Sequence, residues 1–253
     1  MTTNPPAAHP LPYSMLLIDT ERFSDRDDVQ QSYLRRMLYG VVDRTLLAAG
    51  IDQTLRLRED RGDAIMELID PSVPLTTLLR TLLTEVRAEL RAVNRLASDS
   101  AQIRLRAVLA TGFVTIDEYK GWVGDDLNQA CRLLDGDPLR DALRRATDDF
   151  ALCVSESVHS GIVRHNHLGI RADEFTSVTM PSKNGPLTAW LHGPIPAPAM
   201  PSDPATPPES TASSAPVTPS PARPGLDFRG TNHGVVANSV EGGITFGDTG
   251  GRR

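Results

Sequence analysis

Leu55-Arg56-Leu57-Arg58-Glu59-Asp60-Arg61-Gly62-Asp63-Ala64-Ile65-Met66-Glu67-Leu68-Ile69 is the stretch whose reading decides the fold. Leu55 to Arg58 alternates apolar and charged residues, Asp60-Arg61-Gly62 is turn chemistry, and Ala64 to Ile69 is rich in apolar residues, so the stretch reads as two short strands joined by a tight turn. Upstream, residues 27–49 carry Val29, Tyr33, Met37, Val41 and Leu47 near a 3.6-residue spacing with Gly50 as the stop, which predicts a helix. Before that helix the run Ser14-Met15-Leu16-Leu17-Ile18 ends at Asp19. Downstream, residues 75–96 predict a second helix, and Ile103-Arg104-Leu105-Arg106-Ala107-Val108-Leu109 alternates as a half-exposed strand does.

The order strand, helix, strand, strand, helix, strand is the βαββαβ pattern of a ferredoxin-like sheet, an α+β class. In that topology the first and third strands are antiparallel neighbours at the sheet centre. The end of one therefore lies beside the start of the other, which is where Asp19 and Asp63 fall. Two carboxylates meeting there make a divalent-metal site. A second reading is open from spacing alone, because Asp is common at strand exits and tight turns, where its side chain bonds local backbone.

The 253 residues, 40% of them hydrophobic, suffice for one enzyme-sized domain with appendages. Residues 1–13 read as a Pro-containing flexible arm and residues 14–193 as the folded domain. Residues 194–229 form a linker holding over half of the 20 prolines among Ala, Ser and Thr, a composition that cannot bury a core. Residues 230–253 are short apolar pieces punctuated by glycine, read either as a strand that pairs with a protein partner's sheet edge or as a disordered end. A net charge of -6 without a basic block disfavours nucleic-acid binding. Cys131 and Cys153, the only cysteines, suggest neither a disulfide scaffold nor a zinc site, and a reduced cytoplasmic setting is the simplest expectation. No secretory leader is expected from Met1 to Tyr13, and no run approaches the roughly 18 apolar residues of a membrane helix. His165 and His167, two apart, lack a third ligand and are assigned no metal. Arg61-Gly62-Asp63 spells an adhesion tripeptide for which a cytoplasmic chain has no use.

Three segments carry a resemblance. Leu17-Ile18-Asp19-Thr20-Glu21-Arg22-Phe23-Ser24 resembles an apolar strand followed by a metal-binding Asp, Arg61-Gly62-Asp63-Ala64 a Gly-Asp hairpin, and Gly124-Asp125-Asp126-Leu127-Asn128-Gln129-Ala130-Cys131-Arg132-Leu133 a helix bearing Asn and Arg. In this order and separation they resemble the catalytic domain of the class III nucleotidyl cyclases, over about residues 15–190. The resemblance implies the fold of that domain, with further strands and a helix after the βαββαβ core. It also implies conversion of a nucleoside triphosphate to a 3′,5′-cyclic nucleotide and pyrophosphate by two Mg²⁺ or Mn²⁺ ions. Asp19, Asp63 and the carbonyl of Thr20 would be the metal ligands. Asn128 would orient the ribose and Arg132 would face the charge developing on the α-phosphate. In relatives that helix reaches the metals of the other protomer, so a homodimer with shared sites is the implied active form.

The remaining positions bear on substrate. Phe23 belongs to the first motif, and Lys183 falls near a triphosphate-binding lysine of relatives. Arg22 stands where relatives usually have Gly, and its side chain either donates to phosphate or blocks the pocket. Glu59 matches a guanine-reading residue, since a carboxylate accepts from the guanine N1 and N2 donors, whereas Gly121 supplies no side chain to complete that code. The base is left open among GTP, ATP and the pyrimidine triphosphates. Two functions follow: an active homodimeric nucleotidyl cyclase, or a cyclase-like nucleotide-binding and dimerisation module that has lost turnover.

Overall fold

The computed structural model describes residues 9–181 and 185–193. Lys183 and residues 194–253, including the linker and the glycine-punctuated end, lie outside the described residues. The elements run β1 (Leu11–Thr20), α1 (Asp28–Ala48), β2 (Arg56–Asp60), β3 (Ala64–Ile69), α2 (Leu75–Asn94), β4 (Leu105–Ile116), β5 (Trp122–Val123), α3 (Asp125–Asp135), α4 (Asp137–Arg145), β6 (Phe150–Ser155), α5 (Glu156–Gly161), β7 (Phe175–Met180) and β8 (Leu187–His192). This is the expected βαββαβ core with further strands and helices after it. β1 begins at Leu11, so the last three residues of the predicted arm belong to the strand.

The strands make one mixed sheet in the order β2-β3-β1-β4-β6-β8-β7, with the short β5 folded back on β4. β4 and β6 are parallel and the other pairs antiparallel. β1 lies between β3 and β4, and its residues 14–20 are all buried because both faces of the sheet are covered. Leu16 and Ile18 point into a core shared with α1 and α2, and Met15 and Leu17 into one shared with α3 and α4. That two-sided cover explains why the run reads as continuously apolar rather than alternating.

Local chemistry sets the helix limits. Asp27 and Gln30 form a reciprocal capping box at the start of α1, with Gln30 N donating to Asp27 Oδ1 at 2.8 Å. Gly50 ends the turn that follows with φ 75°, a conformation other residues avoid. The buried stripe of α1 is Leu34, Leu38, Val41, Val42 and Leu46, and each such side chain contributes about 1.5–3 kcal/mol of burial. Val29 and Leu47 instead face solvent, and Tyr33 and Met37 flank the core. The predicted helix is right but its apolar face is rotated by about one residue, because two overlapping 3.6-residue series run through this segment.

On the opposite layer, α3 is drawn against β4 by close backbone approach. Asp126 Oδ2 accepts from Phe113 N at 2.8 Å. A Cβ on Gly112 would lie 2.2 Å from the Asp126 side chain, and one on Gly124 would lie 2.5 Å from Phe113 O, so glycine is required at both. Leu127, Ala130, Leu133 and Leu134 then pack on the sheet.

Candidate active site

The site begins with register. β1 and β3 pair so that Asp19 lies opposite Ala64, and Thr20 N donates to Asp63 O at 3.1 Å. Asp19 and Asp63 therefore sit side by side at one end of two adjoining central strands. The hairpin turn that delivers Asp63 is held from two sides. Gly62 takes φ 86° and its N–H is accepted by Asp60 Oδ1 at 2.8 Å. Arg35 reaches across from α1, pairing with the Asp60 carboxylate and donating to Gly62 O at 2.9 Å.

Asp19 is 5% exposed and faces the α3 side of the sheet with Met15 and Leu17. Across the strand pair from it, on β4, stands Arg106, whose guanidinium donates to Asp19 Oδ2 in a close ion pair. Asp19 Oδ1 is buried without a hydrogen-bond partner, and so is Arg106 Nε. Burial is the largest influence on the Asp19 carboxyl and the nearby Asp63 charge adds to it, while Arg106 opposes them. The result is a carboxyl pushed up to about 6. Asp63 is exposed and makes no side-chain hydrogen bond or ion pair among the described residues.

The other predicted positions are distributed around this pair. Thr20 is buried, with Oγ1 lacking a partner. Arg22 adopts φ 55°, the left-handed conformation that explains why glycine suits this turn. Its side chain is exposed and pairs with Asp25 at 2.9 Å, not with Asp19 or Asp63. Phe23 packs at the margin of the α1 and α2 core. Glu59 is tied to Arg61 at 2.8 Å. Gly121 lies in a turn whose N–H is accepted by Asp117 Oδ1 at 2.7 Å, and the Asp117 carboxylate occupies the space a side chain there would need.

Asn128 and Arg132 lie four apart on α3, on the helix side not packed against the sheet. Among the described residues neither side chain has a hydrogen-bond or ion-pair partner. Asp135, the last residue of the same helix, pairs with Arg140. Cys131, between them, is half-buried against the sheet-side cluster, and its thiol is raised chiefly by that burial. His165 and His167 meet edge to face with ring centroids 6.1 Å apart and lie in a helical turn and the loop after it, not on a strand. Arg106 and Arg35 are the residues that sequence reasoning missed. The alternation of residues 103–109 placed Arg106 on a strand, but nothing local paired it with Asp19.

No protein-family model matches the chain, and neither does any curated protein. Solved structures do match. The guanylyl cyclase Cya2 superposes with a TM-score of 0.52 at 15% identity over 76% of this chain and 96% of its own. An adenylate/guanylate cyclase/hydrolase from Silicibacter pomeroyi gives 0.52 at 21% identity over 74% and 99%. The chain has the class III nucleotidyl cyclase fold. A bacterial light-regulated adenylyl cyclase gives 0.50 at 15% identity over 73% and 91%, so the cyclase fold accounts for nearly the whole of all three comparison chains. Among the described residues no helix is long and apolar enough to cross a membrane.

Proposed function

We propose that the chain is a nucleotidyl cyclase that converts a nucleoside triphosphate to a 3′,5′-cyclic nucleotide and pyrophosphate, acting as a homodimer. The observation that carries this is the meeting of Asp19 and Asp63 with a single guanidinium to balance two carboxylates. Among the described residues no group of three or more His, Cys, Asp and Glu side chains gathers to hold a metal. Two carboxylates, one with a buried oxygen lacking a partner, nevertheless fit Mg²⁺ or Mn²⁺, which commonly complete their shells with water and substrate phosphate. Asp19 and Asp63 would hold the ions, with the Thr20 carbonyl as a third donor. When bound, such ions lower the pKa of the ribose 3′-hydroxyl and neutralise the departing pyrophosphate.

The rest is positioning by side chains. Ring closure requires the 3′-oxygen to approach the α-phosphorus in line, so the sugar has to be held in one orientation. The Asn128 amide supplies that hydrogen bond, and the Arg132 guanidinium faces the charge that develops on the α-phosphate. Among the described residues neither side chain has a partner, and both stand on the face of α3 turned away from the sheet, which supports a second copy as the one that uses them. Arg22, Phe23 and Lys183 are assigned to the substrate side, and Glu59 to the base once released from Arg61.

Incubation of purified protein with each of the four ribonucleoside triphosphates and Mn²⁺ tests the proposal. Cyclic product is expected from at least one of them and is expected to disappear in Asp63→Asn. Absence of product from all of them sinks it. A second reading, a nucleotide-binding module without turnover, is favoured by the Arg106 contact on Asp19 and by Gly121. It predicts nucleotide-dependent thermal stabilisation without product, lost in Asp63→Ala.

A further inference from the structure

Arg106 differs from its neighbour on the same strand end in a way that points to a role. Arg104 is held from many directions: it pairs with Glu21 at 2.9 Å and with Asp149 at 3.5 Å, and it donates to the backbone oxygens of Leu143, Ala146 and Asp148. Removing any one of those contacts leaves the rest. Arg106 has one partner, Asp19, although its side chain is only 14% exposed and its Nε is buried with no acceptor. A guanidinium is selected for buried ion pairs when its fork of donors is filled. Here Nε is buried without an acceptor, and no second side-chain acceptor among the described residues fixes the fork.

The carboxylate it serves is equally incomplete. Asp19 uses Oδ2 for Arg106 and leaves Oδ1 without a partner. A buried carboxylate stripped of its only cation is strongly destabilising, by the general behaviour of buried pairs. The metal-free chain therefore needs a cation at this position, and among the described residues Arg106 is the one paired with it. A divalent ion would satisfy the same carboxylate and would also be repelled by a guanidinium left beside it.

We propose that Arg106 is the resident counter-cation of the Asp19 site, a positioning residue that holds the buried carboxylate in the metal-free chain, exchanges with a divalent cation, and so sets how tightly the site takes Mg²⁺ or Mn²⁺. This rests on the reading of Asp19 and Asp63 as cation ligands. The exchange moves no bond and no electron. It replaces one charge-assisted contact with another, and the guanidinium, having no other anchor, is free to swing from Oδ2 while β4 stays in place.

The test measures metal affinity, not turnover. Mn²⁺ is titrated into the full chain without nucleotide, at one alkaline pH, and the free ion is read by its paramagnetic resonance signal. Wild type, Arg106→Gln, Arg106→Lys and Asp63→Asn are compared. Arg106→Gln is expected to bind Mn²⁺ at least about tenfold tighter than wild type, because both the competitor for Asp19 and the repulsion are gone. Arg106→Lys, which keeps the charge, is expected to stay near wild type. A purely structural arginine predicts equal or weaker binding in Arg106→Gln, and that result overturns the proposal while leaving the metal site intact. Mn²⁺ binding that persists undiminished in Asp63→Asn overturns the metal-site reading itself, and this proposal with it. Should Arg106→Gln fail to fold, the wild type decides. Its Arg106 side-chain Nε–H resonance, assigned by its loss in Arg106→Lys, is expected to shift as diamagnetic Mg²⁺ is added. An unmoved resonance at saturating Mg²⁺ overturns the exchange.

Discussion

Two buried carboxylates lie on neighbouring strands of this sheet, and their surroundings are opposite in kind. Glu67 on β3 is 1% exposed and faces α1. Its Oε1 accepts from Arg56 and Arg58 at 2.7 and 2.6 Å, and both arginines also donate to Asp43 at 2.7 Å. Two guanidiniums balance two carboxylates, and the Arg58 guanidinium stacks on the Tyr39 ring, 4.9 Å from its centroid. Asp19 on β1 faces the other layer with one guanidinium, an exposed second carboxylate at its side, and an excess of negative charge. Both acids leave one buried oxygen without a partner, so an orphaned oxygen alone does not distinguish a ligand site from a structural one. Charge balance does. The Glu67 cluster is closed, whereas the Asp19 pair keeps one carboxylate more than its guanidinium balances, which is what the proposed cation site rests on.

The contrast can be broken most severely at its closed half. Glu67→Ala removes the acid that holds Arg56, whose side chain is 7% exposed, and is expected to cost about 3–5 kcal/mol of unfolding free energy in urea melts. A loss below about 1 kcal/mol, the size of an exposed pair, would show the cluster to be no more than a surface network.

The open half has a pH signature. Burial and Asp63 raise the Asp19 carboxyl from 3.8 to about 6, so the folded protein holds that proton more tightly than the unfolded chain. Its stabilising contribution is complete in acid and is lost as pH rises from about 4 through 6, an amount on the order of 3 kcal/mol. Urea melts of metal-free wild type and Asp19→Asn across that window should diverge by this amount, with the advantage shifting toward the Asn variant as pH rises. A constant difference would mean that Arg106 fully offsets the burial.

The smallest expected stability effect belongs to Asp63. Its side chain is exposed and unpaired, and what ties it to β1 is its backbone oxygen. Asp63→Asn should therefore change stability by less than about 0.5 kcal/mol while removing Mn²⁺ binding, and thermal melts with and without Mn²⁺ read both at once. A large loss of stability would move Asp63 into the structural class with Glu67.

Much of this was legible in the sequence, and for local reasons. The Asp60-Arg61-Gly62 turn and the helix that starts near Asp27 and stops at Gly50 are each written in neighbouring residues, whereas the helix bearing Asn128 and Arg132 was legible only through the resemblance. The same locality misled where two periodic series overlapped, as at Val29 and Leu47. It was silent where a residue's meaning came from a distant strand. Gly112 and Gly124 are required by the approach of α3 to β4, and Gly121 is crowded by the Asp117 carboxylate, none of which a periodicity reports.

By itself the chain's order of residues determined the elements of the βαββαβ core and that one acid stands at the end of the first strand and another at the start of the third, because turn chemistry and hydrophobic period act over a few residues. Only the tertiary structure decided which cation each buried acid meets. Arg106 and Asp19 are 87 residues apart and become neighbours through the register of β1 on β4, which is set by the packing of both sheet faces rather than by any local preference.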